Sequence, residues 1–168
     1  EKIFRTQNFQ IRLKRTFDIF ISLILLFFSI PILAIASILI KLEDQGPIIY
    51  KQIRTGQFGK EFYILKLRTM HMNAEKGLPQ WSKKNDQRVT KVGNILRRSR
   101  IDEIPQLINV IRGQMSLIGP RPERPEFDKL LKNKIPFYDV RKYCKPGLSG
   151  WAQVNYPYGA SILDSKYK

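Results

Sequence analysis

The sequence predicts a mainly α-helical chain with a few short β-strands, an α+β fold. An N-terminal re-entrant membrane helix-break-helix is followed by a compact polar domain lying on the membrane face. Three observations carry this reading. Residues Ile19–Ile40 run for 22 positions without a charge, and both flanks of the run are basic. Two later segments repeat apolar residues at helical spacing, and two short apolar stretches flank a Gly-containing turn. The formal charge is +16, from 30 Lys and Arg against 14 Asp and Glu, which calls for an anionic partner.

Residues 1–13 form a lead-in that is expected to continue a longer chain, since position 1 is Glu1 rather than Met. Residues 14–42 form the membrane element. About 20 apolar residues suffice for one membrane-spanning helix. Arg12, Lys14 and Arg15 precede the run, and Lys41, Lys51 and Arg54 follow it. Basic residues mark the cytoplasmic side, so a single span has no preferred orientation here. Pro31 sits near the middle, where it removes a backbone hydrogen bond and clashes with the preceding turn. A helix that enters, breaks at Ser29-Ile30-Pro31 and returns to the same side satisfies both facts. A kinked full span is the main competitor, because Pro is tolerated in membrane helices. A buried core helix fits less well: the residues after Lys41 are strongly polar and too few to cover it. A cleaved signal peptide is disfavoured by the length of the run and the lack of a small-residue cleavage site.

Residues 43–168 form the compact domain, and the sequence reads as a fragment of something longer. Glu43–Pro47 turns the chain out of the membrane. Ile48–Tyr50 and Phe62–Leu67 read as short strands joined through Thr55–Gly59, and Gly77–Arg88 as a polar, mobile loop. Thr90 caps a helix through Arg98, with Val92, Ile95 and Leu96 on one face. A second helix runs from Asp102 to Arg112 and stops at Gly113, with Pro105 acceptable in its first turn. Met115–Ile118 is extended, Glu126–Lys134 helical, and Lys145-Pro146-Gly147 turns the chain into Leu148–Val154.

Cys144 and His71 are the sole residues of their types, so neither a disulfide nor His-based chemistry is supported, and both read as structural. The Thr55–Lys60 turn lacks the spacing and the final Ser or Thr of a phosphate-binding loop. Basic residues are scattered without a nucleic-acid-binding motif, so no nucleic acid partner is expected. Asp102 and Glu103 stand side by side just after Arg97, Arg98 and Arg100. Their plain role is to cap a helix and complement its dipole. Their chemical role would be nucleophilic attack on phosphorus, or ligation of Mg²⁺ together with substrate phosphates. Arg121, framed by Pro120 and Pro122, presents its guanidinium from a stiff turn.

Five segments together resemble the monotopic phosphoglycosyl transferases, also called bacterial sugar transferases. They are KRTFDIF at 14–20 leading into the Pro-broken run, GPIIYKQIRTG at 46–56, KLRTM at 66–70, IDEIPQLINVIRGQMSLIGPRPE at 101–123 and KPGLSGWAQVNYPYG at 145–159. The resemblance implies transfer of a phosphosugar from a nucleoside diphosphate sugar, typically a UDP-sugar, to polyprenyl (undecaprenyl) phosphate with Mg²⁺. The setting would be the cytoplasmic face of the bacterial inner membrane, where lipid-linked glycan assembly starts. Asp102 matches the catalytic Asp, which attacks the β-phosphate and ligates Mg²⁺. Glu103 matches its dyad partner and Arg97 a phosphate-binding Arg. Lys66, Arg68 and Arg121 fall in motifs lining the site, and Ser29 and Pro31 in the helix break. Three positions depart from the pattern: Ile30 separates the usual Ser-Pro pair, Gln114 replaces a frequent Asp, and Lys142 a frequent His. Contact with membrane lipid is expected, and a homo-oligomer stays open. A non-catalytic membrane module that binds anionic lipid or a protein is the alternative reading.

Overall fold

The computed structural model describes residues 2–72, 74 and 86–155, with residues 2–8 described by their backbone only. The fold is mostly helical with a few short strands. In chain order the elements are α1 (Lys2–Glu43), β1 (Ile49–Thr55), β2 (Glu61–Leu67), α2 (Lys91–Arg98), α3 (Gln106–Ile111), β3 (Ser116–Ile118), α4 (Pro125–Lys134), β4 (Gly147–Ser149) and α5 (Trp151–Asn155). Residues 77–85 of the polar stretch expected to be a loop lie outside the described residues.

Helix α1 has 42 residues, about 63 Å at 1.5 Å per residue. It runs helically through Pro31, so the break expected at Ser29–Pro31 does not interrupt the helix. A proline removes only one hydrogen bond of the ladder, here the one to the Phe27 carbonyl, so the helical winding continues past it. Ser29 Oγ donates to the Leu25 carbonyl at 2.6 Å and Ser37 Oγ to that of Leu33 at 2.6 Å.

Both ends of the apolar run pack on the same body. At the N-terminal end, Arg15 donates to the carbonyls of Val110 (2.7 Å) and Ile111 (2.8 Å) in the last turn of α3. Asp18 accepts from Ser116 Oγ at 2.8 Å and pairs with Lys14 at 3.0 Å. At the C-terminal end, Ala36 and Ile40 join Leu67 and Leu96 in a core cluster, with Leu33, Ile48, Val92 and Ile101 around it. The Glu43 carboxylate accepts from the backbone N–H groups of Lys91 (2.7 Å) and Val92 (3.0 Å), the unpaired donors that open α2. Between these anchors most of the large apolar side chains are exposed, as at Phe27 (68%) and Phe28 (70%), although Ser22 is fully buried.

β1 and β2 form an antiparallel hairpin in register from Ile49↔Leu67 to Thr55↔Glu61. The strand expected at 48–50 therefore extends to Thr55. Its outer half is polar, and backbone pairing with β2 rather than side-chain burial keeps it extended. A second cluster lies beneath the hairpin, where Phe62 and Ile64 meet Val110, Met115 and Leu117. Asn109, fully buried on α3, ties the two elements together. Its Oδ1 accepts from Leu65 N at 3.0 Å, and its Nδ2 donates to Tyr63 O at 2.7 Å.

Thr90 caps α2 as expected, accepting from Gly93 N at 2.9 Å. The helix expected over Asp102–Arg112 divides instead into a 3-10 turn, Ile101–Glu103, and α3. Arg100 enters that turn in the left-handed region (φ 60°), and Gly113 leaves α3 at φ 83°. β3 and β4 pair in parallel, Ser116 with Gly147 and Ile118 with Ser149. The strands touch so closely that a Cβ on Gly147 would lie 2.1 Å from Gly119 N.

Candidate active site

The hairpin, the 3-10 turn and the Gly119–Glu123 loop converge on Glu103. Lys66, near the end of β2, donates to Glu103 Oε1 at 2.7 Å, and Arg121 Nη2 donates to the same oxygen at 3.0 Å. Arg100 lies 3.9 Å from Oε2. Burial opposes ionisation of Glu103, but Arg121 and Lys66 outweigh it and hold the carboxyl down to about 2. Burial, with Arg121 adding to it, pulls Lys66 down to about 8 against the attraction of Glu103. Glu103 is thus a fixed anion holding two cations at one place.

The loop bearing Arg121 is held from three directions. Arg54 donates to the Pro122 carbonyl at 3.0 Å, Thr55 N to the Glu123 carbonyl at 2.9 Å, and Arg141 to the Arg121 carbonyl. Gly147 N also donates to the Pro120 carbonyl at 2.9 Å, so the β3–β4 pair sets the loop's height. These bonds add to the restraint that Pro120 and Pro122 place on the backbone around Arg121.

Asp102 is 6% exposed, and its Oδ1 has no hydrogen-bond donor among the described residues. It does not cap a helix: it lies inside the 3-10 turn, and no side chain caps that turn. Burial raises its pKa above the ordinary value, opposed by Lys66, reinforced by Glu103, and opposed again by Arg97 and Arg100. A buried carboxylate oxygen without a donor is poorly solvated, which in general favours attack on an electrophile and leaves room for a cation or phosphoryl group. Among the described residues, no group of three or more His, Cys, Asp or Glu side chains could hold a metal ion. Mg²⁺ needs only one or two carboxylates beside phosphate and water; of the two dyad carboxylates, Glu103 already serves two cations, while Asp102 Oδ1 has no donor among the described residues and could serve as such a ligand.

Arg97 closes the last turn of α2 and donates through Nε to Thr69 Oγ1 at 2.8 Å. Gly93 makes this docking close, because a Cβ there would lie 2.1 Å from the Thr69 carbonyl oxygen. Lys66, Arg97, Asp102, Glu103 and Arg121 are therefore brought together. Arg68 is engaged elsewhere: it is 7% exposed, donates to the Asp44 carbonyl and lies 3.8 Å from Asp44 Oδ2. Ser29 and Pro31 lie on the exposed stretch of α1.

Sequence reading passes over Thr69 as a member of the site, and takes Arg100 only as part of the basic stretch before the dyad. The left-handed backbone of Arg100 leaves no trace in residue type, and Thr69 matters only because Arg97 docks on it. Of the departures, Gln114 accepts from Asn109 Nδ2 at 2.7 Å, and Lys142 pairs with Asp128 (2.5 Å) and Asp139 (2.7 Å). Cys144 is an exposed free thiol, and His71 is 3.9 Å from Asp44 Oδ2.

Comparison with known proteins places this arrangement. The sequence model of the bacterial sugar transferase family matches residues 9–168. A UDP-N-acetylgalactosamine-undecaprenyl-phosphate N-acetylgalactosaminephosphotransferase of Aeromonas hydrophila is 43% identical over 93% of this chain and 37% of its own length. A Bacillus subtilis protein, provisionally named an undecaprenyl-phosphate N-acetylgalactosaminyl 1-phosphate transferase, is 51% identical over 77% of the chain and 72% of its own. A UDP-glucose:undecaprenyl-phosphate glucose-1-phosphate transferase of Caulobacter vibrioides is 45% identical over 84% of the chain and 53% of its own. The chain thus spans between about a third and three quarters of these relatives, and it belongs to the bacterial sugar transferase family.

Proposed function

We propose that this chain transfers a sugar 1-phosphate from a nucleoside diphosphate sugar to polyprenyl phosphate, through a covalent intermediate on Asp102. The observation that carries the proposal is the buried Asp102 carboxylate, with one oxygen lacking a donor, beside a Glu103 that gathers Lys66 and Arg121. The relatives' names support a UDP-sugar donor and an undecaprenyl phosphate acceptor. The product would start lipid-linked glycan assembly of the exopolysaccharide, capsule or O-antigen kind.

Two displacements account for the chemistry. An oxygen of Asp102 attacks the β-phosphorus of the donor. The bond from that phosphorus to the bridging oxygen breaks, and the nucleoside monophosphate leaves with the electron pair. A phosphate oxygen of the polyprenyl phosphate then attacks the same phosphorus. The Asp102–phosphorus bond breaks, the carboxylate is restored and a polyprenyl diphosphosugar forms. Lys66, Arg97 and Arg121 neutralise the diphosphate and hold it in line, a preorganised arrangement that needs no further movement of charge. Glu103 keeps Lys66 and Arg121 in place. Mg²⁺, ligated by Asp102 together with substrate phosphate oxygens, would supply further neutralisation of phosphate charge.

The contacts of α1 support a membrane placement. Arg15 and Glu43, on either side of the apolar run, are both bonded to one folded body, while Phe27 and Phe28 between them are exposed. One body cannot stand on both sides of a hydrocarbon layer about 30 Å thick. These contacts support a re-entrant α1, bent at Pro31 while keeping its helical winding, whose apolar middle enters one leaflet while both flanks stay at the cytoplasmic face of the inner membrane. A lipid phosphate and a soluble sugar nucleotide would then reach Asp102 from opposite directions.

The test is release of nucleoside monophosphate from UDP-sugars by the purified chain with polyprenyl phosphate and Mg²⁺. Asp102→Asn is expected to abolish release and the covalent adduct. An Asp102→Asn protein as active as its parent would sink the nucleophile. No release with any donor, beside binding to anionic vesicles that weakens with salt, would favour a non-catalytic lipid-binding module.

A further inference from the structure

Two buried polar atoms on consecutive turns have no partner among the described residues: Asp102 Oδ1 and Gln106 Nε2. Gln106 is 3% exposed and opens α3, directly after the 3-10 turn that carries Asp102 and Glu103. The backbone between them winds tightly, with Glu103 N bonded to Arg100 O, Ile104 N to Ile101 O and Leu107 N to Ile104 O. In such a winding, side chains three and four positions apart lie on the same face. Gln106 therefore follows the dyad by one turn on its buried side.

The neighbouring amide of α3 shows what a structural role looks like. Asn109 is fully buried and satisfied, giving or taking hydrogen bonds with Leu65 N, Tyr63 O and Gln114 Oε1. Gln106 is nearly as enclosed, yet its NH₂ group meets no acceptor among the described residues. A buried donor left unmade is costly, and in native proteins such a group needs an explanation. A phosphoryl oxygen is the acceptor this centre handles. Lys66 and Arg121 already share Glu103, so a neutral donor adds a hydrogen bond without placing another cation against Asp102.

We infer that Gln106 is a further binding residue of the centre, its side-chain amide donating a hydrogen bond to the phosphoryl group that Asp102 receives, a role that rests on the transfer proposed above. The group remains neutral throughout and exchanges no proton. Its contribution grows as charge builds on the non-bridging oxygens during attack.

The experiment compares the unsubstituted full chain with Gln106→Met and Gln106→Glu in detergent, with Mg²⁺ and either UDP-N-acetylgalactosamine or UDP-glucose. Thermal unfolding and single-turnover formation of the phosphosugar adduct, followed by intact mass, are both read. Gln106→Met keeps the volume and removes the unpaired donor, so its Tm is expected to equal or exceed that of the parent. Its adduct is expected to form about 100-fold more slowly, the effect of losing one preorganised donor. Gln106→Glu, which replaces the donor with a negative charge, is expected to be slower still. A Tm several degrees below the parent would show that the amide holds the fold together, and an adduct rate within threefold of the parent would show that it does not touch the phosphoryl group. Either result overturns the assignment of Gln106 while leaving the transfer itself standing. An unsubstituted chain that forms no adduct with either donor overturns the transfer, and the role of Gln106 with it.

Discussion

Replacing Glu103 by Gln removes one negative charge while leaving the shape of the side chain almost unchanged. In the folded chain the carboxyl is held down from 4.5 to about 2, chiefly because Arg121 and Lys66 outweigh its burial. That difference of about 2.5 units, at 1.36 kcal/mol each, is about 3 kcal/mol favouring the ionised group in the fold. The side chain is 10% exposed, so solvent screening removes little of this. Because the folded pKa lies below the unfolded one, the stabilisation is complete above about pH 4.5 and is lost as pH falls from there toward 2.

Lys66 gives a second signature. Its folded pKa is lowered from 10.5 to about 8, so the fold favours the neutral amine. The penalty for the charged form is present below about pH 8 and fades between 8 and 10.5, where stability rises with pH. Without Glu103 the lysine loses its anion and that rise begins at lower pH. At pH 7 a loss of about 3 kcal/mol lowers Tm by about 6–12 °C for a chain of this size. Thermal unfolding in detergent between pH 3 and 9 reads both effects. The cost of Glu103→Gln should shrink when Lys66→Met is added, since breaking a buried pair costs more than replacing it. A Glu103→Gln protein within 1 °C of its parent at pH 7, with the same loss of stability in acid, would refute the account of Glu103 as the anion that gathers the site.

Three further outcomes are expected. Arg68→Met removes the grip on Asp44, lowering stability by about 1–3 kcal/mol while changing KM for the sugar nucleotide less than threefold. Arg97→Met should raise that KM at least tenfold, and equal KM effects would return Arg68 to the phosphate site. Gly93→Ala places a Cβ 2.1 Å from the Thr69 carbonyl oxygen, so α2 must shift and Tm should fall; an unchanged Tm would mean that α2 is not docked there. Gln10→Cys and Gln45→Cys, each in a Cys144→Ser background, should both react with an impermeant thiol reagent from the cytoplasmic side. Labelling from opposite sides would mean that α1 spans the membrane.

Local chemistry made several elements legible from residue order. The uncharged run with basic flanks reads as one long apolar helix, compatible with membrane association, because its length and apolar character are properties of composition. Thr90 caps α2 because a hydroxyl three residues before a free N–H needs no tertiary help. Asp102, Glu103 and Arg97 could be placed in one neighbourhood because they are close in the chain. Other features depended on contacts between distant segments. Lys66 meets Glu103 across 37 residues and Arg121 meets it across 18, distances over which side-chain periodicity carries no information. Lys66 and Arg68 stand two residues apart at one strand end and read alike. Only packing sends one to Glu103 and the other to Asp44 at the end of α1. The division of 101–112 into a 3-10 turn and a short helix is also tertiary, because it leaves Asp102 and Gln106 enclosed with unmet polar atoms. Residue types in order determine which groups this chain has and which face of each element they take; the crossing of those elements determines which charges are neutralised and which are left open for a phosphate.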